Sequence, residues 1–318
     1  MQQAQDPILT VTLNPALDLS ARVACMQAGP KLRLSAPVWE PGGGGVNVAR
    51  AIHALGGSVQ AWVALGGASG AQHQGLLHQQ GIVPLVFDAP GDTRQSWAIT
   101  DNDSQQFRLQ LPGEDWPEGL AAQACRDIVA QATGFVVLSG SQPDGVGAAF
   151  AQELAQGLGA GRLIVDTSGA ALARLMEQPL AQARPFVLRL DQAEAEAQAG
   201  HPLAEATDTS AFAQALVARG VAEHVCIARG ADGTVLAGGA GVFHCRAPDV
   251  AVRSKVGAGD SFTGAFTLSL ARGASFFEGL RLGTAAAAAA VMTDGTQLCR
   301  LEDVAQLLGA CTLSPMGA

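Results

Sequence analysis

From residue 117 to residue 228 the chain repeats one pattern, a stretch with helical apolar spacing followed by a short β-rich run. The spacing predicts helices over 117–132, 145–158, 169–177 and 206–219, and strands over 134–139, 162–166, 185–190 and 224–228. Strands joined through helices cannot pair as tight hairpins. They lie parallel, and the helices cover the sheet. Such crossovers are right-handed, so the expected fold is a doubly wound α/β layer with helices on both faces. Residues 8–13 read as a buried first strand ending at Asn14-Pro15. A helix over 46–55 stops at Gly56-Gly57, and a strand over 59–65 follows. Later, 234–238 and 241–246 read as an antiparallel pair, and helices are expected at 259–272, 277–292 and near 301–309. Two early stretches, about 18–40 and 84–112, break the rhythm with short strands, prolines and charges, and are expected to form a small sheet on one edge of the core. No linker or internal repeat is visible, so residues 1–318 are expected to form one domain.

Composition narrows the function classes. With 48% hydrophobic and 15% charged residues the chain is globular rather than disordered. A net charge of −9 argues against a nucleic-acid partner, which calls for a basic face. It leaves room for a small anionic substrate, since a few local cations suffice. Residues 1–7 have no basic and apolar leader pattern, and the alanine-rich run at 285–292 is far shorter than a membrane span. The six cysteines show no CxxC spacing and read as reduced thiols. The expectation is a soluble, cytoplasmic protein with no membrane partner.

The strongest chemical signal is Val256-Gly-Ala-Gly-Asp-Ser261, where Gly257, Ala258 and Gly259 precede an acid that opens a helix. Glycines leave backbone N–H groups unshielded, and a helix N-terminus adds positive potential. Together they can stabilise charge on a transferring phosphoryl group, with Asp260 as the base that takes a hydroxyl proton. Asp is also a favoured N-cap, and the segment alone allows either role. A second signal is Glu40-Pro-Gly-Gly-Gly-Gly-Val-Asn47, in which backbone donors can approach a polyhydroxylated ligand and Asn47 can both donate and accept. No Gly-Lys-Ser/Thr follows, so this is not a Walker A loop, and it lacks the dinucleotide GxGxxG spacing.

Leu13-Asn-Pro-Ala-Leu-Asp18, Gly29-Pro-Lys-Leu-Arg33, the stretch Ala36–Arg50 and Val256–Ser261 resemble the phosphofructokinase-B branch of the ribokinase-like sugar kinases, nearly end to end and in the same order. Within that branch the likeness is to its 6-phosphofructokinases. The resemblance implies a three-layer α/β/α sandwich with a small β-sheet lid. It implies ATP as phosphoryl donor, Mg²⁺ as its partner, a sugar phosphate as acceptor, and a homodimer joined through the lids. Carried over by position, Asp18, Gly43, Gly44 and Asn47 hold sugar hydroxyls. Arg94 pairs with the sugar's phosphate, Lys31 assists from the lid, and Arg33 and Arg108 are weaker candidates. Arg suits that role because its planar donors grip two oxygens at once. Ser141, just past a strand end, falls where an open α/β sheet puts its ligand crevice.

Two segments depart from the family pattern. Where the family has Lys-Pro-Asn-x-x-Glu, this chain has Arg189-Leu-Asp-Gln-Ala-Glu194. Asp191 and Glu194 are then the metal-side pair, acting through water, and Arg189 stands on the triphosphate side. In the nucleotide loop, Ala228-Arg-Gly-Ala-Asp-Gly233 lacks the usual hydroxyl before its first glycine, so Arg229 is expected to supply a charged contact alongside Ala228, Gly230 and Gly233. The run 285–290 resembles the small-residue helix that flanks adenine. The leading expectation is phosphorylation of fructose 6-phosphate to the 1,6-bisphosphate. Tagatose 6-phosphate or fructose 1-phosphate kinase is an alternative, as are a catalytically weak binding homologue and a nucleoside kinase. All of them require the four-glycine loop and Asp260 to face one another.

Overall fold

The computed structural model describes residues 5–103 and 105–316. The first part of the chain forms β1 (Ile8–Thr12), β2 (Ala16–Arg22), β3 (Val38–Gly42), α1 (Gly44–Ala54), β4 (Gln60–Leu65), α2 (Gly67–Gln79), β5 (Leu85–Asp88), β6 (Gln95–Thr100) and β7 (Gln106–Gln110). The middle forms α3 (Leu120–Gln131), β8 (Phe135–Ser139), α4 (Phe150–Leu158), β9 (Leu163–Asp166), α5 (Gly169–Glu177), β10 (Val187–Leu190), α6 (Gln192–Ala199), α7 (Ala206–Ala218) and β11 (His224–Ala228). The last part forms β12 (Thr234–Gly238), β13 (Gly241–Arg246), α8 (Ala258–Ala271), α9 (Phe276–Val291), α10 (Leu301–Leu308) and β14 (Thr312–Met316).

A ten-stranded sheet runs in the order β14-β13-β12-β11-β10-β9-β8-β1-β4-β5. Its strands are parallel from β11 to β5 and antiparallel from β11 to β14. Because side chains alternate across a strand, each central strand feeds two cores. Val136 and Leu138 pack into the core on one face, with Ile128 of α3 and Leu154 of α4. Val137 packs into the core on the other face, with Ile52 of α1, Phe262 and Phe266 of α8 and Leu280 of α9. Helices on both faces thus remove the sheet from water, as the alternation of segments predicts. A one-residue slip in β8 would exchange its two core faces. Fully burying one such valine or leucine is worth about 1.5–3 kcal/mol, so the register is firmly set.

The chain reverses its direction of travel across the sheet at β1, which has β4 on one side and β8 on the other. In an open parallel sheet that switch leaves a crevice beyond the C-terminal strand ends.

A separate four-stranded sheet, β3-β2-β6-β7, stands apart from the large one. Its faces follow from register: Leu17, Leu19 and Ala21 lie beside Gln95, Trp97 and Ile99, while Asp18, Ser20 and Arg22 lie beside Ser96, Ala98 and Thr100. Leu19, Ala21, Trp97 and Ile99 of the first set are packed with Met26 and Leu32 of the β2–β3 connection and with Trp39. The polar set is left to face the crevice.

The structure differs from the sequence reading in several elements. Within 84–112, only β6 and β7 belong to the small sheet. β5 pairs with β4 in the large one because α2 carries the chain across as a right-handed crossover and Phe87 is buried there. α2 itself has no apolar stripe to announce it, since the residues it buries are Ser69, Gly70, His73 and Leu77. α6 is short, and α4 starts only at Phe150 because Gly145 takes a left-handed turn (φ 84°) before it. β14 is an outer strand that extends the antiparallel edge.

Candidate active site

A cavity of about 320 Å³ lies between the polar face of the small sheet and the ends of α1 and α8. From the small sheet it is walled by Asp18, Ser96 and Arg108, from the four-glycine loop and α1 by Gly43, Gly44 and Asn47, and from α8 and its approach by Lys255, Gly257 and Asp260. Arg94, just before β6, completes one side.

α8 begins here because Gly257 adopts a left-handed conformation (φ 77°) that turns the chain into the helix. Ser261 N–H donates to the Gly257 carbonyl at 2.8 Å, closing the first turn. Gly259 has a second reason to lack a side chain. A Cβ there would come within 2.9 Å of both guanidinium nitrogens Nη1 and Nη2 of Arg189. The Arg189 cation therefore sits against the first turn of α8, where it adds to the positive potential of the helix N-terminus.

Asp260 sits in that first turn. Its Oδ2 accepts from Asn47 Nδ2 at 3.0 Å. Burial pushes its carboxyl up to about 7, with the Asp166 carboxylate adding to the rise. The hydrogen bond from Asn47 and the charges of Arg189 and Arg50 oppose it. A carboxyl in that range can take a proton near neutral pH and release it again, as a general base must. Asp18 is shifted in the same sense, up to about 6, by burial, against the opposing charges of Arg94 and Arg50.

Arg94 donates from Nη2 and Nε to the Asn14 carbonyl at 3.2 and 3.4 Å. Those bonds hold its fork at the cavity wall and leave Nη1 out of the hydrogen bonds among the described residues. Burial lowers its pKa and Asp18 opposes that. Ser141 stands one step behind, accepting from Asn14 Nδ2 at 3.2 Å. It supports the wall without lining it.

On the other side of Asp260, β9 and β10 deliver acids and a cation. Asp166 ends β9, accepts from Thr263 Oγ1 at 3.0 Å and pairs with Arg189 Nη1 at 3.3 Å. Burial opposes the Arg189 charge, but Asp166, Glu194, Asp260 and Asp191 outweigh it and its pKa rises. Asp191 caps α6. It accepts from Glu194 N–H at 2.8 Å, and Glu194 Oε2 accepts from Asp191 N–H at 2.9 Å. Asp serves this capping box as Asn would. Each carboxylate spends one oxygen on the box and keeps the other. Burial raises the Glu194 pKa, against the hydrogen bond from Asp191. Among the described residues no cluster of three His, Cys, Asp or Glu side chains forms a protein-only metal cage. The donor set instead fits Mg²⁺, which keeps most of its waters and takes one or two carboxylates plus substrate phosphates.

The structure redirects several residues. Arg229 turns inward: Nη1 donates to the Leu203 carbonyl at 2.9 Å and to Thr209 Oγ1, Nη2 to the Ala204 carbonyl at 2.8 Å, and Nε to Asp232 at 3.2 Å. With every nitrogen engaged, it ties α7 to the β11–β12 turn and commits four of its five N–H donors inside the protein. Arg229 is 7% exposed, so the expected charged contact to ATP would rest on the one remaining Nη2 hydrogen. Ala228, Gly230 and Gly233 remain at the C-terminal end of β11, where Gly233 takes φ 92°. Lys31 is exposed and lines none of the described cavities, because the β2–β3 connection carries it over the outer face of the small sheet. Arg33 is likewise exposed. Ala285, Ala286, Ala289 and Ala290 are wholly buried in the core beside α8. Lys255, Asp166 and Arg50 are site residues that sequence reading passed over. Lys255 and Asp166 had a signal, one directly before the glycine motif and the other at the C-terminal end of an expected strand. Arg50 had its place at the end of the family-like stretch Ala36–Arg50, three residues after Asn47.

Comparison with known proteins gives the same answer as the geometry. The family model described as pfkB family carbohydrate kinase matches residues 12–303. A relative from Escherichia coli (strain K12) named ATP-dependent 6-phosphofructokinase isozyme 2 is 36% identical over 307 residues, 94% of this chain and 97% of its own length. One of the same name from Mycobacterium tuberculosis (strain ATCC 25618 / H37Rv) is 35% identical over 302 residues, 93% of this chain and 87% of its own. The crystal structure of phosphofructokinase-2 from Escherichia coli in complex with fructose-6-phosphate has a TM-score of 0.87 at 33% identity, covering 96% of this chain and 99% of that one. An acid at a glycine-turned helix start, a four-glycine loop facing it and an end-to-end family match have one common explanation: this chain belongs to the pfkB family of carbohydrate kinases.

Proposed function

We propose that the protein transfers the γ-phosphoryl group of ATP to a hydroxyl of a ketohexose monophosphate, converting fructose 6-phosphate to fructose 1,6-bisphosphate. The observation that carries this reading is the 3.0 Å hydrogen bond between Asn47 Nδ2 and Asp260 Oδ2, which joins the sugar-side loop to the base. Asp18, Asn47 and the backbone of Gly43 and Gly44 hold the sugar hydroxyls, and Arg94 grips the phosphate already present, with Arg108 and Lys255 nearby. Asp260 takes the proton of the attacking hydroxyl as its oxygen bonds to the γ-phosphorus and the bond to the ADP oxygen breaks. The N–H groups at the start of α8, backed by Arg189, stabilise the charge on the moving phosphoryl group. Asp191, Ala228, Gly230 and Gly233 line the nucleotide side beyond the ends of β10 and β11. Asp191 and Glu194 would hold Mg²⁺ through water, and the ion would supply charge neutralisation at the triphosphate.

A coupled assay of ADP release with ATP and Mg²⁺ tests this. Fructose 6-phosphate is expected to show the highest kcat/KM among fructose 6-phosphate, tagatose 6-phosphate, fructose 1-phosphate and unphosphorylated fructose. Absence of turnover with all of them, despite measurable ligand binding, overturns the reading in favour of a binding homologue.

In this reading the whole described chain is one kinase unit, with the small sheet as its lid and the lids as the joint of a homodimer. Support comes from large apolar side chains exposed on and beside the lid strands: Val38 at 59%, Leu111 at 51%, Leu109 at 46% and Leu34 at 42%. Sedimentation equilibrium is expected to give the mass of two chains, and Leu109→Asp to shift it toward one. A monomer at micromolar concentration contradicts the joint. The six unpaired cysteines suit a reducing, cytoplasmic setting. No helix among the described residues is long and apolar enough to cross a membrane.

A further inference from the structure

Arg50 is nearly buried, its side chain 11% exposed, and it reaches neither the sugar nor the phosphate side of the cavity. It nevertheless makes contacts in four directions. Nε donates to Gln80 Oε1 at 2.8 Å, beyond the end of α2. Nη1 donates to the Pro41 carbonyl at 3.2 Å and to Asn47 Oδ1 at 3.1 Å. Nη2 pairs with Glu40 Oε1 at 2.9 Å, and the other Glu40 oxygen accepts from Thr296 Oγ1. The polar chain therefore runs from Thr296 through Glu40 of the lid strand β3 to Arg50, then Asn47, then Asp260.

The chemistry of the middle link is one-directional. A guanidinium carries only donors, so the face of the Asn47 amide turned to Arg50 must be its carbonyl oxygen. That choice turns the amide nitrogen to the Asp260 carboxylate, where a donor holds Oδ2 and leaves Oδ1 to an incoming hydroxyl. Without Arg50 the amide could rotate by half a turn. It would then offer an oxygen to Asp260, a contact that only the protonated acid can satisfy.

We propose that Arg50 is a positioning residue for the reaction: it fixes the orientation of the Asn47 amide so that Nδ2 faces Asp260, and it anchors that arrangement to the root of the lid through Glu40. This rests on Asp260 being the base of the proposed kinase. The charged groups that face Asp260 are Asp166 at the end of β9, Arg189 in β10 and Arg50 itself in α1, with Asp18 of β2 and Lys255 across the same cavity.

The test reads Asp260 without relying on turnover. The difference in melting temperature between the chain and Asp260→Asn, followed against pH, reports the folded-state titration of Asp260. In Arg50→Met the midpoint of that difference is expected to move upward by about one pH unit, and the acid limb of kcat/KM with it. Glu40→Gln is expected to move both in the same direction by less. Arg50→Lys should fall between parent and Met, since an ammonium can replace the charge but not the fork. The decisive arm is a cycle with Asn47→Ala: once the amide is gone, Arg50→Met should move the midpoint little further. An undiminished shift in that background means that Arg50 acts only by its charge, and overturns the proposal. So does an unmoved midpoint in folded Arg50→Met, or in Arg50→Lys should the Met variant not fold. If no sugar is turned over by any variant, the kinase reading fails, while the thermal titration still decides the role of Arg50.

Discussion

Asp260→Asn is expected to lower kcat by about 10³-fold, within the 10²–10⁴ range that a positioned general base supplies. Asn fills the same volume and can still meet Asn47, so ATP binding and the fold should survive. It cannot take a proton from the attacking hydroxyl. In the parent chain the base must be ionised, and burial holds its carboxyl at about 7, so kcat/KM should fall with unit slope below that pH and level off above it. Stability runs the other way. The folded pKa lies above the ordinary value of 3.8, so the stabilisation from this group is full below 3.8 and is lost as pH rises toward 7. Asp260→Asn, which never carries the charge, should therefore melt higher than the parent at pH 8 and show no such advantage at pH 4. The shift should be a few degrees, on the order expected for one buried charge in a domain of this size. Steady-state kinetics and thermal melts against pH check both halves. Near-parent kcat in the Asn variant would remove Asp260 from the chemistry.

Arg94→Ala is expected to raise KM for fructose 6-phosphate by about 10²-fold, in line with the 2–5 kcal/mol lost when one partner of a buried charge pair is cut away. Two of its donors are already anchored on the Asn14 carbonyl, so the fork is held before the substrate arrives and little ordering is left to be done on binding. Arg94 is also the largest of the charges holding down the Asp18 carboxyl, which sits at about 6. Its loss should push Asp18 further up, so that KM worsens most at slightly acidic pH. Arg94→Lys should restore only part of the affinity, because an ammonium cannot engage two phosphate oxygens in one plane. Unphosphorylated fructose is the internal control: its KM should hardly change. A change of less than threefold for the phosphorylated sugar would remove Arg94 from the phosphate pocket.

Much of this architecture is written locally. Alternating apolar runs make strands, 3.6-residue spacing makes helices, and Val256–Ser261 carries its own turn because Gly257 can take a positive φ and Asp260 suits a first helical turn. These are interactions between near neighbours in the chain, so the sequence by itself settled the parallel sheet and the place of the two glycine motifs, and pointed to Asp260 as the candidate base. It did not settle α2, whose buried face of Ser69, Gly70 and His73 has no apolar period to read, or the sheet to which β5 belongs. Nor did it settle where long side chains point. Arg229 sits in a nucleotide-loop motif yet spends its guanidinium on α7 and the segment before it. Lys31 sits in a lid motif yet is exposed, while Arg50, the last residue of the family-like stretch Ala36–Arg50, donates to the Asn47 amide oxygen. Asn47 and Asp260 are 213 residues apart in the chain and 3.0 Å apart in space. Only the registers of the two sheets and the packing of α1 on α8 bring them together, since the direction of a flexible polar side chain depends on partners that the folded core supplies.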